Sequence, residues 1–479
     1  MDTSRTTTAA LMALAATLAL LAGALARDTD YCYQDESEKY LLFASKTAYE
    51  FVRDSRRGAE ILPHCTPLQV WWLNRHGTRY PGKSTIKSMA EKLPGLRDSI
   101  LTNHQERSGR LCDADLEALQ QWKLTVSEGQ ENVLTPAGEQ ELFLTAKRLS
   151  DRFPEVLKLP YTSSRYKFQH TDSQRTQESA RQFARGLFTD ADVVNIPPAD
   201  KKDLLLQPYT ECKVWLEGDK SDPPEWRKLV EGSLMQSLIA NVSSRLGFRS
   251  DLKFVDVDTI YDMCRFQEAW DVQKTSPWCA AFNKDELKLL EYAEDLRYYY
   301  KSGYGDEKNV KLGCPLAKDL YERFNALATG QGEQPAGVFY FAHSSTLHML
   351  QSRLGAFRDP WTLRADNYQY LRQRAWRISL MGSFAGNLGA VFYKCAPPGE
   401  PESKQVLFLA GEGPLDLPGC KVGLCTWEHV KQLLEPVAQE CNLDWCEGNG
   451  ATTITAAHLP FVAALLLALT SLHEIVFEL

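Results

Sequence analysis

This 479-residue sequence predicts an α/β fold, with a mainly parallel sheet, helices on both faces and an inserted helical lobe. Short apolar runs rich in Val, Phe, Tyr and Trp alternate with stretches of helical periodicity, the pattern of strands threaded between covering helices. Three of these runs end in clusters of Arg, His, Ser and Thr. From residue 191 to 330 the pattern changes, becoming rich in Trp, Lys and Glu with few strand-like runs. Functional groups in such sheets gather at the carboxyl ends of strands, so the three clusters are expected to converge.

The N-terminus reads as a secretory leader. Arg5 precedes an apolar run at 9–21, and Ala24-Leu25-Ala26 before Arg27 has the small residues of a cleavage site, so residues 1–26 are expected to be removed. The first strand is Val70-Trp71-Trp72-Leu73, leading into Arg75-His76-Gly77-Thr78-Arg79-Tyr80-Pro81. Thr135-Pro136 then opens a helix: Thr caps, Pro suits the first turn, and Leu142, Ala146, Leu149 and Phe153 share one face. A second strand at 166–170 runs into Thr171-Asp172-Ser173-Gln174-Arg175, followed by a helix carrying Thr176, Ala180, Phe183 and Leu187. Residues 191–330 form the inserted, mainly helical lobe and one wall of a cleft. The third strand, at 337–342, ends in His343-Ser344-Ser345-Thr346; Leu347, Leu350 and Leu354 mark the helix behind it, closed by Gly355. Strands at 390–393 and 405–409 complete an α/β domain built from 27–190 and 331–448.

The C-terminal segment 449–479 matches a glycolipid (GPI) anchor signal that is later removed. Its parts are the small triplet Asn449-Gly450-Ala451, a polar spacer and an apolar end without Lys or Arg. That apolar end, 459–472, falls short of the roughly 20 residues of a spanning helix. A spanning tail and a buried C-terminal helix remain the alternatives, as do the endoplasmic reticulum lumen and simple secretion for a cell-surface destination. All twelve cysteines lie between the two terminal signals, and an even count in a secretory chain implies disulfides. Cys264–Cys279, Cys420–Cys425 and Cys441–Cys446 are candidate local pairs; the full connectivity stays open. No paired C-x-x-C or neighbouring His points to zinc. Asn241-Val242-Ser243 is a glycosylation sequon.

The formal charge of −8 becomes about −6 once Glu474 and Glu478 leave with the tail. A polyanionic ligand must therefore be drawn by a local basic pocket. The dispersed basic residues exclude a nucleic-acid face. Arg75, His76 and Arg79 would supply that pocket. The arginine fork matches phosphate oxygens two at a time, and a neutral His between them is a nucleophile for phosphorus. Gly77 leaves room where backbone and phosphate come close. Arg175 and His343, at the ends of the other two strands, would complete the set. Lys83 and Lys87, just past the heptapeptide, are candidates for outer phosphates of a crowded substrate.

Arg75–Pro81, the Leu134-Thr135-Pro136-Ala137-Gly138 helix start and the Arg175-Thr176 context resemble the histidine acid phosphatases, the two-lobed branch of the histidine phosphatase superfamily. Within it the likeness is strongest to the multiple inositol polyphosphate phosphatases, from about residue 40 to 425. Phosphoglycerate mutases share Arg-His-Gly but are much shorter and usually cytosolic. The resemblance implies the phosphoglycerate-mutase-like fold and a phosphoric monoester hydrolase. His76 would take up the phosphoryl group as phosphohistidine, with Arg75, Arg79, Arg175 and His343 holding its oxygens. No cofactor or metal is implied. The substrate would be a small polyanion such as an inositol polyphosphate or 2,3-bisphosphoglycerate; the oligomeric state is left open.

The sequence departs from the family at one position. The family's proton donor follows the second histidine as His-Asp or His-Ala-Glu, and here the residues are His343-Ser344-Ser345. Ser345 stands where an acid is expected, and a hydroxyl is far too weakly acidic to replace it. General acid–base help is typically worth about 10²–10⁴-fold. Three outcomes stay open: another acid reaches the site, with Asp172, Glu178 and Glu412 as candidates; turnover is slow; or the chain is a phosphate-binding pseudophosphatase. A broad secreted acid phosphatase would differ in substrate only.

Overall fold

The computed structural model describes residues 32–36, 39–55, 60–190, 193–218 and 221–448. The expected leader (1–26) and anchor signal (449–479) lie outside the described residues. Among the described residues, no helix is long and apolar enough to cross a membrane.

One seven-stranded sheet organises the chain, comprising β1 (Cys65–Arg75), β2 (Tyr166–His170), β3 (Gly337–Ala342), β4 (Asn387–Cys395), β5 (Ser403–Ala410), β6 (Gly413–Pro414) and β7 (Leu424–Thr426). Their order is β2-β3-β1-β4-β5-β6, with β7 also on β5. The α/β class holds, but the sheet is mixed and not mainly parallel. β2, β3 and β1 run parallel, whereas β4, β5, β6 and β7 pair antiparallel. For β4 and β5 the reason is local. Residues 396–402, with Pro397, Pro398 and Gly399 at φ +79°, join β4 to β5. So short a link can only make a hairpin, because a parallel return needs a dozen residues or more. The three motif-bearing strands are the parallel ones, and they are neighbours.

Both faces of the sheet are covered. Successive residues of β1 point to opposite sides, as the period of two requires. Trp71 and Leu73 pack with Leu316, Leu320 and Phe324 of helix Cys314–Thr329 and with Val430 and Leu434 of helix Trp427–Glu440. Val70 and Trp72 pack with Leu142 and Leu149 of helix Pro136–Arg152 and with Ala180 and Phe183 of helix Gln174–Leu187. Thr135 caps the first of these helices by accepting the Gly138 N–H, with Pro136 in the first turn. Ser173 caps the second by accepting the Thr176 N–H.

A separate core joins Met89 and Leu93 of helix Lys83–Gln105 to Ile260 and Phe266 of helix Phe254–Trp270, Leu290 and Leu296 of helix Lys284–Ser302, and Trp376 and Phe384. Among the described residues from 193 to 330 there are helices and no strand.

All twelve cysteines are paired. Cys264–Cys279 and Cys420–Cys425 form as expected. Cys441 and Cys446 do not pair with each other: Cys441 bonds Cys314, and Cys446 bonds Cys212. Cys441 ends helix Trp427–Glu440, which lies along Cys314–Thr329, so its nearest thiol opens that neighbouring helix. Cys446 is held in a small apolar cluster with Tyr209, Cys212 and Leu312. Asn241 is exposed on helix Ser233–Arg245.

Candidate active site

The register of the parallel strands levels their carboxyl ends, with Arg75 opposite Ala342 and Phe341 opposite His170. The His76 N–H continues the ladder onto the Ala342 carbonyl (3.0 Å), and the Thr171 N–H onto that of Phe341 (3.1 Å). The residues that follow the three strands therefore meet. The imidazoles of His76 and His343 lie edge to face with centroids 5.6 Å apart, and Arg175 Nη2 is 3.3 Å from His343 Nδ1.

The hydrogen bonds fix both imidazoles. His76 Nδ1 faces the Gly77 carbonyl at 2.8 Å. A carbonyl only accepts, so Nδ1 carries the proton and Nε2 keeps its lone pair. Burial, then the charges of Arg75, His343, Arg79 and Arg175, hold the His76 pKa well below its ordinary value. His343 accepts from Arg175 at Nδ1. Its Nε2 meets Thr171 Oγ1 at 2.9 Å, whose own proton goes to Thr176 Oγ1. Burial and the charges of Arg175, Arg75 and Arg79 bring His343 down to about 3. Both rings are thus neutral, as a nucleophile requires.

The arginines are short of acceptors. Arg75 Nη1 donates to the carbonyls of Ser45 (2.6 Å) and Gly382 (2.7 Å), and its guanidinium lies over the Phe384 ring. Its Nε is buried without a partner, as is that of Arg175. Arg79 donates to the Tyr80 carbonyl. Burial first, and repulsion from Arg79 and Arg175, depress the pKa of Arg75; burial and Arg175 bring Arg79 down to about 10. Crowded guanidiniums with unsatisfied donors form a site for an anion with several oxygens.

Two glycines set the loop against the helix start. A Cβ on Gly77 would stand 2.4 Å from the Gly138 carbonyl oxygen, and one on Gly138 would stand 2.2 Å from that of Thr78. Neither backbone can yield, so both positions require hydrogen as side chain. Beneath the loop, the half-buried Glu141 accepts from the Thr78 N–H (2.8 Å), the Thr78 hydroxyl (2.9 Å) and the Tyr49 N–H. Burial raises its pKa to about 7 against these bonds. Sequence reasoning missed Glu141, because nothing in its helical neighbourhood marks a residue that buttresses a loop sixty residues earlier.

The other candidates separate from this cluster. Lys83 is exposed at the first residue of its helix, and Lys87 pairs with Glu91 at 3.7 Å in solvent. Ser345 is half-buried in the first turn of helix Ser344–Arg353, directly after His343. Asp172 is exposed. Glu178 accepts from Gln182 and pairs with Arg181. Glu412 is buried, but Arg148 grips both its oxygens and the Tyr49 hydroxyl donates to it. Among the described residues, none of these acids is hydrogen-bonded or ion-paired to His76 or His343.

His348, one turn deeper in the same helix, gives a pH test of this buried ground. Burial and the charge of Arg75 lower its pKa to about 3, while unfolded His titrates near 6.5. Between those values the unfolded chain binds the extra proton, so this contribution to stability is complete above about pH 6.5 and is lost as the pH falls toward 3. A His348→Gln variant is expected to show a flatter decline of melting temperature than the wild type over that window, measured by thermal scans from pH 7 to pH 3.5.

Residues 68–408 match the family model of the histidine phosphatase superfamily, branch 2. The chain is 37% identical over 443 residues to multiple inositol polyphosphate phosphatase 1 of Drosophila melanogaster, covering 90% of this chain and 93% of that protein. Among solved structures, it is similar to the phytase from D. castellii, with a TM-score of 0.66 and 14% identity over 87% of this chain and 91% of that one. It is also similar to the multiple inositol polyphosphate phosphatase of Bifidobacterium longum in complex with phosphate. There the TM-score is 0.61 and the identity 14%, over 83% of this chain and 98% of that one.

Proposed function

Because the chain belongs to branch 2 of the histidine phosphatase superfamily, we propose that it is a phosphomonoesterase of inositol polyphosphates acting through a phosphohistidine on His76. The observation that carries this reading is His76 itself, a buried neutral imidazole with a free Nε2, ringed by under-satisfied guanidiniums. Arg75, Arg79 and Arg175 receive the phosphoryl oxygens and stabilise the charge that develops on them. Nε2 attacks phosphorus in line as the ester oxygen departs, and water then cleaves the N–P bond. A phosphate brought into the cluster reverses the electrostatic sign that keeps His343 neutral, so His343 gains proton affinity and becomes a donor to a phosphate oxygen. The Drosophila melanogaster relative's name and the phosphate held by the B. longum structure support the choice of substrate class.

The direct test compares inositol hexakisphosphate with an activated aryl phosphate, whose phenolate departs without a proton. Phosphate release from the aryl ester is expected to be efficient, and release from the inositol ester slower. Ser345→Glu restores a carboxylic acid beside His343 and is expected to raise turnover of the inositol ester about tenfold while leaving the aryl ester little changed. Failure to release phosphate from either ester would contradict the reading. A second reading, ligand binding with little turnover, is favoured by Ser345 alone, and the same assay separates the two.

We also propose passage through the secretory pathway and display on a glycolipid anchor. Six disulfides fit an oxidising compartment. Release from cells by a phosphatidylinositol-specific lipase is the expected result; retention on the membrane would favour a spanning tail.

A further inference from the structure

We propose that Tyr298 donates the proton to the departing alkoxide, the task that Ser345 cannot perform. This rests on the phosphohistidine reading above. Tyr298 belongs to helix Lys284–Ser302, more than two hundred residues beyond the nucleophile loop in sequence. Its hydroxyl donates to Ser45 Oγ at 3.1 Å, and the carbonyl of the same serine receives Nη1 of Arg75 at 2.6 Å. One residue therefore separates the phenol from the arginine beside the nucleophile. The His348 ring meets the Tyr298 ring edge-on, with centroids 5.2 Å apart, and so limits its tilt.

The charges around this phenol suit proton donation. Its charge interaction favours the protonated state of both Arg75 and Arg79. Burial pushes a phenol toward higher pKa, and Glu294 acts in the same direction. The charge of Lys46, then that of Arg75 and the Ser45 hydrogen bond, outweigh them, and Tyr298 comes out below its ordinary value. Lys46 itself pairs with Glu294 at 3.4 Å and lies near the Phe266 ring.

Three other buried or half-buried carboxyl groups are already held by bonds. Glu412 is held by Arg148, and Glu141 accepts three bonds beneath the loop. Asp262 acts on Arg79 electrostatically, but its Oδ1 takes two bonds from Arg265.

The step balances. As the bond from His76 Nε2 to phosphorus forms, the bond from phosphorus to the alkyl oxygen breaks. The Tyr298 hydroxyl turns its proton from Ser45 Oγ to that oxygen, which leaves as the alcohol, and a phenolate remains beside Lys46, Arg75 and Arg79. Water then attacks the phosphohistidine and gives its proton to the phenolate.

The experiment is a leaving-group comparison on the full chain. Tyr298→Phe is expected to raise the ratio of aryl-phosphate to inositol hexakisphosphate turnover by about 10²-fold. It is also expected to abolish the fall of inositol-ester kcat at alkaline pH. Adding Ser345→Glu to Tyr298→Phe should restore the ratio. An equal loss on both esters with no change in the pH profile, or no loss on either, overturns the proposal. So does a selective loss in Asp262→Asn that Tyr298→Phe does not show. If the wild type releases phosphate from neither ester, the phosphatase reading has failed instead.

Discussion

Replacing His76 with alanine is expected to lower phosphate release by about 10⁴-fold or more on alkyl and aryl esters alike, since removing a covalent nucleophile leaves only binding and electrostatics. The loss should appear in kcat, because the guanidiniums that hold the substrate remain. The fold should tolerate the change. His76 makes its side-chain hydrogen bond to the neighbouring Gly77 carbonyl, while its backbone continues the β1 ladder whatever side chain it carries. A melting temperature near wild type with no turnover is therefore the predicted pair of results. Measured activity on either ester would mean that another group attacks phosphorus.

Arg175→Ala is the second large effect. Arg175 follows β2, and the bond from its Nη2 to His343 is the contact that ties it to the histidine pair. Its removal takes away a donor to the equatorial oxygens in the transition state, worth about 10²–10³-fold in kcat. The loss should be similar for alkyl and aryl esters, because phosphoryl charge develops in both. Inhibition by inorganic phosphate should weaken in parallel. Arg175→Lys should recover little, since a point charge cannot reproduce the planar fork. A separate readout is the titration of His343. Arg175 is the leading charge that lowers its pKa, so its loss should bring His343 back toward the ordinary range, visible by NMR. A loss confined to alkyl esters would instead place Arg175 in proton delivery.

Much of this site is legible in the sequence, because its parts are local patterns. An apolar run ending in Arg75-His76 is a strand followed by its loop, and Ser173 before helix Gln174–Leu187 is a cap. Parallel pairing did the rest by levelling the three strand ends. What was not legible depends on contacts between distant segments. Cys441 and Cys446 sit close in sequence, yet each bonds a cysteine brought near by helix packing. The β4–β5 and β5–β6 hairpins follow from short connections, while strand and helix alternation alone predicts a mainly parallel sheet. Glu141 and Tyr298 carry no local signature: one buttresses Thr78 from a helix face, and the other reaches Ser45 across more than two hundred residues. The expected helpers Lys83 and Glu412 were near the motifs in sequence or in charge type, but solvent and Arg148 respectively hold them.

The proposed mechanism turns on a covalent bond between phosphorus and His76. Rapid acid-free quenching of the enzyme with a ³²P-labelled aryl phosphate, followed by peptide mapping, tests it most directly. Label is expected on His76, stable to base and released by acid, and absent from His76→Ala. Turnover with no label at any time point, or label on another residue, would contradict it.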